Sequence, residues 1–191
     1  MDSLFAIAGK GFVVLAADSQ VARSILLYQS DLDKIKELDE HKLLAMAGPQ
    51  ADCSVFGEYI HKNMTLYELN HDLTLNTHAT ANFIRKELAK ALRKGPYQVN
   101  SLLGGVDGDV ASLYWIDYLG TLHKVDYGAQ GYASNFTLSL LNNKYRPGMS
   151  EEEAIELTKK CFKELETRFL ISQTKYVIKV VNKEGIKTVL K

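Results

Sequence analysis

Residues 13–19 read VVLAADS, an apolar run that ends in an acidic residue, Asp18. Such a short run of valine, leucine and alanine predicts a strand that is buried inside a sheet. Residues 42–53 read KLLAMAGPQADC and predict a second buried strand, a turn at Gly48 and the start of a helix. Lys34 stands between these stretches, 16 residues after Asp18, at the beginning of another predicted strand. The two stretches therefore place an aspartate, a lysine and a turn glycine at the ends of predicted strands.

The predicted elements follow a block order. Short apolar runs predict strands over residues 3–8, 12–17, 25–28, 34–38, 42–47, 99–106, 111–117, 121–125, 176–181 and 186–190. Apolar residues at three- and four-residue intervals predict helices over about 51–69, 77–94, 132–145 and 151–169. A parallel doubly wound sheet would alternate strands with helices. The block order instead predicts an α+β fold, a four-layer α-β-β-α sandwich of two antiparallel sheets flanked by helix pairs.

The composition fits one soluble globular domain over residues 1–191. Hydrophobic residues make up 46% of the chain and charged residues 24%, close to the average for globular proteins. Lys and Arg number 23 and balance 23 Asp and Glu, so the net charge is zero. We therefore expect no attraction to nucleic acid and none to a membrane surface. A neutral chain also has little colloidal protection as a monomer, which favours a protein that works inside an assembly.

No targeting segment is predicted. The apolar N-terminal stretch is interrupted by Gly-Lys-Gly at residues 9–11 and follows no basic region, which indicates neither a signal peptide nor a membrane-spanning helix. We expect a cytoplasmic and nuclear location. Cys53 and Cys161 lie far apart without CxxC spacing, which favours two buried reduced thiols over a disulfide or a redox pair.

The sequence contains no motif for a metal or a cofactor. Its five histidines form no close ligand pair such as HExxH, so we expect no metal site. The Gly-Lys-Gly turn lacks the glycine spacing of a phosphate-binding loop, and no GxSxG nucleophile motif occurs. We expect no cofactor. Spacing alone thus predicts a soluble protein of mixed helices and strands without assigning a partner.

The order of these features resembles the proteasome β-subunit family of N-terminal nucleophile hydrolases. That family has a strand ending in AAD, then a lysine at the spacing found here, and a strand ending in MAG before the first long helix. The resemblance extends through YQVN at 97–100, DYLG at 117–120, GAQGY at 128–132 and the closing hairpin at 181–186. It covers essentially the whole chain and implies the N-terminal nucleophile hydrolase fold, which is a sandwich of the predicted kind.

Active members of this family use an N-terminal threonine as nucleophile, and the α-amino group of that threonine takes up the hydroxyl proton. A lysine lowers the pKa of this assembly, an aspartate orients the lysine, and the backbone N–H of the MAG glycine stabilises the oxyanion. A serine and an aspartate from the second half of the chain complete the hydrogen-bond network. The resemblance implies that Asp18 is the orienting aspartate, Lys34 the lysine and Gly48 the oxyanion glycine.

The resemblance also implies that the catalytic set is incomplete. Asp2 occupies the position of the threonine, and its carboxylate has no nucleophilic hydroxyl. Gln130 stands in place of the serine and Phe169 in place of the second-half aspartate, although Ser172 remains. We therefore predict a non-catalytic subunit without catalytic residues, in which the matching aspartate, lysine and glycine are a vestigial scaffold.

Two alternatives concern these same residues. Asp18 and Lys34 also fit a plain buried ion pair, in which loss of one partner would leave an uncompensated charge. An active hydrolase would instead use Ser3 after removal of residues 1–2. Ser3 is one residue out of register with the threonine, and such a shift turns a side chain to the other face of a strand. We expect no processing that frees an amine at Ser3, and we interpret the site as inactive.

The resemblance implies a structural β subunit of the 20S proteasome core particle, which serves ATP-dependent and ubiquitin-dependent protein degradation. Its partners would be other β and α subunits in a barrel of 28 subunits, arranged as four seven-membered rings. The subunit would supply ring contacts and part of the chamber wall. We expect these contacts on the helices over 51–69 and 151–169 and on the loops around 24–33. A free-standing binding module that only inherits the fold is the alternative from another class.

Overall fold

The computed structural model describes residues 2–190. Within them the strands are β1 (Ser3–Gly9), β2 (Phe12–Asp18), β3 (Val21–Arg23), β4 (Leu26–Gln29), β5 (Ile35–Asp39), β6 (Lys42–Ala47), β7 (Asn100–Asp107), β8 (Val110–Ile116), β9 (Leu122–Val125), β10 (Tyr127–Gly131), β11 (Tyr176–Asn182) and β12 (Gly185–Leu190). The helices are α1 (Gln50–His71), α2 (Thr77–Ala91), α3 (Ala133–Lys144) and α4 (Glu151–Arg168). The order is strands, two helices, strands, two helices, strands, as predicted.

The strands form two five-stranded sheets in which every neighbouring pair is antiparallel. Sheet one has the order β10-β1-β2-β11-β12, and sheet two has the order β5-β6-β7-β8-β9. Strands β3 and β4 pair with each other in a separate two-stranded ribbon. Sheet one therefore combines strands from both ends of the chain, whereas the strands of sheet two follow chain order.

Three apolar clusters define the four layers. One lies between α3 and α4 and the outer face of sheet one, a second between the two sheets, and a third between sheet two and the helices α1 and α2. The layer order is thus helix pair, sheet, sheet, helix pair. This arrangement confirms the predicted α+β sandwich of two antiparallel sheets with helix pairs outside.

Strand β1 shows why the central strands read as continuous apolar runs. Successive side chains of a strand point to opposite faces of the sheet. Phe5 and Ile7 accordingly pack against the helices α3 and α4, whereas Leu4 and Ala6 pack between the sheets. Both faces are dry, so both need apolar residues.

Two strands escape prediction from the sequence. The segment Tyr127–Gly131 contains two glycines and a glutamine, so its composition does not favour a strand, yet it pairs along the edge of β1. The segment Val21–Arg23 is only three residues long. Tertiary pairing, rather than local propensity, creates both strands. The other elements begin and end within about three residues of the predicted positions, a normal uncertainty for element ends.

Candidate functional site

Asp18 closes strand β2, and its side chain is completely buried. Its Oδ1 accepts a hydrogen bond of 2.8 Å from the backbone N–H of Ser3. Its Oδ2 accepts from the backbone N–H of Gln20 at 3.1 Å and from the Nζ of Lys34 at 2.8 Å. The carboxylate therefore joins the start of β1, the end of β2 and the lysine of the neighbouring sheet.

Lys34 lies immediately before strand β5, with a side chain that is only 3% exposed. Its Nζ donates to Asp18 Oδ2 at 2.8 Å, to Asp2 Oδ1 at 2.6 Å and to the carbonyl oxygen of Gln20 at 2.7 Å. A lysine ammonium has three N–H donors. All three are used, so the ammonium is fully satisfied by the protein itself.

Asp2 lies just before strand β1 and is bound at both carboxylate oxygens. Its Oδ1 accepts from Lys34, and its Oδ2 accepts a hydrogen bond of 2.9 Å from the backbone N–H of Gly48. The carbonyl oxygen of Asp2 also accepts from the backbone N–H of Tyr132 at 2.9 Å. Both the side chain and the backbone of Asp2 are therefore fixed, although the side chain keeps 17% of its surface exposed.

Two glycines near Asp2 allow neighbouring backbone segments to pack closely against each other. Gly48 has a φ of 152°, and a Cβ there would lie 2.1 Å from the carbonyl oxygen of Gln98. Gly131 has a φ of 66°, and a Cβ there would lie 2.1 Å from the carbonyl oxygen of Asp2. No larger residue fits either position without moving the backbone. The turn after β6 and the end of β10 thus depend on glycine to enclose Asp2.

The electrostatics of the site follow from one cation shared by two carboxylates. Burial raises the pKa of Asp18 above its ordinary value, while the charge and hydrogen bond of Lys34 oppose that rise. The neighbouring charge of Asp2 raises the pKa of Asp18 a little further. A buried carboxylate that must share its cation is harder to ionise than one with a cation of its own.

Ser3 is the residue on which the alternative hydrolase would depend. It stands in β1 on the same face as Phe5 and Ile7, which pack against the helices α3 and α4. Its Oγ is buried and has no hydrogen-bond partner among residues 2–190. The backbone N–H of Ser3, rather than its hydroxyl, contacts Asp18. No base is therefore hydrogen-bonded to this hydroxyl within the described part of the chain.

The two residues that replace the family's serine and aspartate have structural contacts. Gln130 is buried, and its Nε2 donates to the carbonyl oxygen of Ile116 in the opposite sheet at 3.2 Å. Phe169 follows α4 and stacks on Tyr132, with ring centroids 5.1 Å apart. Ser172 is exposed between α4 and β11. The structure thus brings Asp2, Asp18, Lys34 and Gly48 together, while the hydrogen bond of Gln130 and the ring contacts of Phe169 are made with other residues.

A cavity of about 240 Å³ adjoins Lys34, with Met46 and Cys53 also in its wall. Burial, together with the charges of Asp2 and Asp52, raises the pKa of the Cys53 thiol to about 12. The thiolate is the nucleophilic form of cysteine. At neutral pH Cys53 therefore stays a protonated, unreactive thiol, as does Cys161, whose pKa burial also raises to about 12.

Clustered metal ligands and membrane-spanning helices are both absent from the described residues. Within 2–190, no three His, Cys, Asp or Glu side chains are grouped so that they could hold a metal ion. None of the four helices in that range combines the length and the apolar character that a bilayer crossing requires.

Sequence reasoning missed the ligands of Asp2. It identified Asp2 as the replacement for a nucleophile, but it did not foresee that the carboxylate binds Lys34 and Gly48 together. It also missed the carbonyl oxygen of Gln20, the third acceptor of the lysine. The alternative of a plain ion pair is therefore too simple, because three charged side chains take part.

Comparison with known proteins assigns the chain to a family. Residues 2–181 match the family described as "Proteasome subunit". The chain is 49% identical over 186 residues to "Proteasome subunit beta type-2" of Oryza sativa subsp. japonica, across 97% of this chain and 88% of that protein. It is 47% identical over 191 residues to the type-2 subunit of Dictyostelium discoideum, across 98% of this chain and 96% of the relative. It is 41% identical over 192 residues to "Proteasome subunit beta type-4" of Saccharomyces cerevisiae, across 99% and 97%. The chain therefore belongs to the proteasome subunit family, among the β subunits called type-2 or type-4.

Proposed function

We propose that this chain is a non-catalytic β subunit, which builds the proteasome core without cleaving peptides itself. The observation that carries the proposal is the position of Asp2, whose carboxylate binds Lys34 at 2.6 Å and the N–H of Gly48 at 2.9 Å. A carboxylate at the place of the nucleophile has no hydroxyl to attack a peptide carbonyl.

The remaining scaffold residues are also engaged. The ammonium of Lys34 spends all three donors inside the protein, so it has none left to activate a nucleophile. The N–H of Gly48, which the resemblance assigns to the oxyanion, already donates to Asp2. An oxyanion donor accelerates a reaction only when it points at the place where charge develops. Here that place is taken by a side-chain oxygen.

The partners in this proposal are the other β and α subunits of a 28-subunit barrel, in the cytoplasm and the nucleus. Support comes from the ribbon of β3 and β4, where residues 25–28 are between 56% and 94% exposed although they read ILLY. A two-stranded ribbon is marginally stable alone. Four neighbouring exposed apolar residues fit a surface that a partner covers. In this role the whole chain, residues 1–191, acts as one domain.

Covalent labelling of the native particle tests the lack of catalysis. An epoxyketone directed at N-terminal threonine should label catalytic subunits of the same particle and leave the intact mass of this chain unchanged. Labelled neighbouring subunits are the positive control. An adduct on this chain, or peptide turnover that Ser3→Ala abolishes, would support the Ser3 hydrolase instead.

The size of the native species tests the assembly role. We expect the chain to elute from native extract with a particle many times its own mass of 21.4 kDa. Elution near 21.4 kDa would support a free-standing binding module.

A further inference from the structure

Asp2 joins the two sheets of the sandwich through its side chain. It precedes β1 of sheet one, whereas its ligands belong to sheet two, since Lys34 precedes β5 and Gly48 follows β6. The two donors contact different oxygens of one carboxylate, at 2.6 Å from Nζ and 2.9 Å from the backbone N–H. A cation and an N–H thus hold one anion from two sides.

The donor set selects a carboxylate over its neutral analogue. The ammonium of Lys34 and the N–H of Gly48 are both donors, so each oxygen of Asp2 must accept. An amide of the same shape would turn its NH₂ toward either the ammonium or the N–H, and one donor would lose its acceptor. Hydrogen bonds with ionised partners are also the stronger kind. The site therefore recognises charge as well as shape.

A small anion could reach these donors if the side chain of Asp2 were removed. The Asp2 side chain is 17% exposed, so solvent contacts the site. Lys34 also lines the adjoining cavity of about 240 Å³, which has room for several water-sized molecules. Gly48 offers a backbone N–H to the anion, and a Cβ at this residue would clash with the carbonyl oxygen of Gln98.

We propose that Lys34 and Gly48 form a carboxylate-binding site whose native ligand is the side chain of Asp2 of the same chain. The site holds an internal anion, which fastens the start of β1 to sheet two. This role goes beyond the absence of catalysis, because it assigns a ligand and a structural task to the retained lysine and glycine. It rests on the contacts of Asp2 alone and holds whether or not Ser3 can react.

Chemical rescue of Asp2→Gly in the assembled full-length subunit tests the proposal. Hydrogen exchange of the β1 amides, read by mass spectrometry, reports how firmly the strand is held. We expect exchange to accelerate by at least about tenfold, in keeping with the loss of hydrogen bonds to a charged group. Formate at about 100 mM, a concentration that populates weak sites, should reverse most of that acceleration.

Three comparisons make the result specific. Formamide, which has the shape of formate without its charge, and sodium chloride at equal ionic strength should not rescue. Asp109→Gly changes an exposed acid in the turn between β7 and β8 and should leave β1 exchange at the wild-type rate. In the double variant Asp2→Gly with Lys34→Met, formate should have no effect, because the cation is gone.

Several outcomes would overturn the proposal. They are wild-type exchange in Asp2→Gly, equal rescue by formate and formamide, and formate rescue that survives the loss of Lys34. If Asp2→Gly does not assemble, Asp2→Asn keeps the size of the side chain and replaces one acceptor with a donor. Wild-type β1 exchange in Asp2→Asn would equally refute a site that requires a carboxylate.

Discussion

Asp2 Oδ2 accepts a hydrogen bond of 2.9 Å from the backbone N–H of Gly48, a residue 46 positions further along the chain. The family resemblance assigns that N–H to the oxyanion of a reacting peptide. In this chain a side-chain oxygen of Asp2 accepts from that donor, while the other oxygen of the same carboxylate binds Lys34. The carboxylate of Asp2 therefore engages both the N–H of Gly48 and the ammonium of Lys34.

Replacing Lys34 should be the most damaging single change in the site. Lys34→Met leaves the carboxylates of Asp2 and Asp18 near each other without their shared cation. Because breaking a buried ion pair is costly, we expect the free energy of unfolding to fall by about 3–5 kcal/mol. Urea unfolding of the dilute full-length chain, followed by the fluorescence of its single tryptophan, measures the loss.

Lys10→Met is the control for that experiment, since Lys10 is exposed in the turn between β1 and β2. Its effect should stay within about 0.5 kcal/mol, as is usual for surface substitutions. Equal stability of the two variants would mean that the site network contributes little to folding.

Lys179 forms a second link between the sheets, and its loss should cost less. Its Nζ, on β11, binds Asp33 Oδ2 and Glu37 Oε1 at 2.8 Å each and the carbonyl oxygen of Ile35 at 3.0 Å. The side chain of Asp33 is 31% exposed and that of Glu37 is 52% exposed, so water can solvate both when the lysine is removed. We expect Lys179→Met to lower the free energy of unfolding by about 1–3 kcal/mol in the same urea assay. A loss larger than that of Lys34→Met would contradict this ranking.

The raised pKa of Asp18 predicts the direction in which the free energy of unfolding changes with pH. Burial lifts the folded pKa above the unfolded value near 3.8, so the folded state holds this proton more tightly. The associated stability is present below the unfolded pKa and is lost as pH rises through the folded pKa. The free energy of unfolding of the wild type, measured relative to Asp18→Asn, should therefore decrease from about pH 4 upward and then become constant.

Asp18→Asn serves as the reference because its amide does not titrate. The other effects of this change on the free energy of unfolding are then the same at every pH. Urea unfolding of both proteins at matched pH values gives the difference directly. A difference that increases with pH would show that pairing with Lys34 outweighs burial.

The exposed ribbon of β3 and β4 should matter for assembly and little for folding. Leu26 and Leu27 are each more than half exposed, so glutamate can replace them without burying a charge. At a covered interface the same glutamates would be desolvated without partners. We expect the double change Leu26→Glu and Leu27→Glu to leave the midpoint of urea unfolding at the wild-type value. The same change should abolish co-purification with partner subunits.

Val110→Glu, at an exposed apolar residue of β8, is the matched control and should still co-purify. Normal assembly of the ribbon variant would place the partner surface elsewhere.

The free wild-type chain should aggregate at tens of micromolar, because its net charge is zero and its ribbon is uncovered.

The sequence predicts the fold well where an apolar pattern is compatible with only one kind of element. The continuous apolar run of β2 needs two dry faces, which a sheet between a helix layer and another sheet provides. Strand β10 escaped prediction because its composition does not favour a strand, and it forms through pairing with β1. Asp18, Lys34 and Gly48 were identified through the resemblance to the family. The bond from Asp2 to Gly48 was not, because it depends on the distance between two sheets, which no local pattern encodes.

Restoring the nucleophile alone should not restore catalysis. With residue 1 removed and Asp2→Thr in place, the hydroxyl, the lysine and the oxyanion donor are all present. The side chain of Gln130 is nevertheless bound to the carbonyl of Ile116, and Phe169 is stacked on Tyr132, so neither supplies the serine or aspartate that holds the α-amine. Catalytic groups that act as a unit are strongly non-additive. An amine displaced by about 1 Å can lose on the order of 100-fold in rate.

We therefore expect the Asp2→Thr subunit to assemble normally and to form no adduct with a threonine-directed epoxyketone, as judged by intact mass. Adding Gln130→Ser supplies the missing hydroxyl. Because the two groups cooperate, this change should increase labelling more in the Asp2→Thr chain than in the chain that keeps Asp2. Ser139→Ala, at an exposed serine in α3, is the matched control and should change nothing. Stoichiometric adduct on Asp2→Thr alone would show that the nucleophile and Lys34 suffice. Inactivity would then trace to Asp2 by itself, and the replacements at Gln130 and Phe169 would be neutral for chemistry.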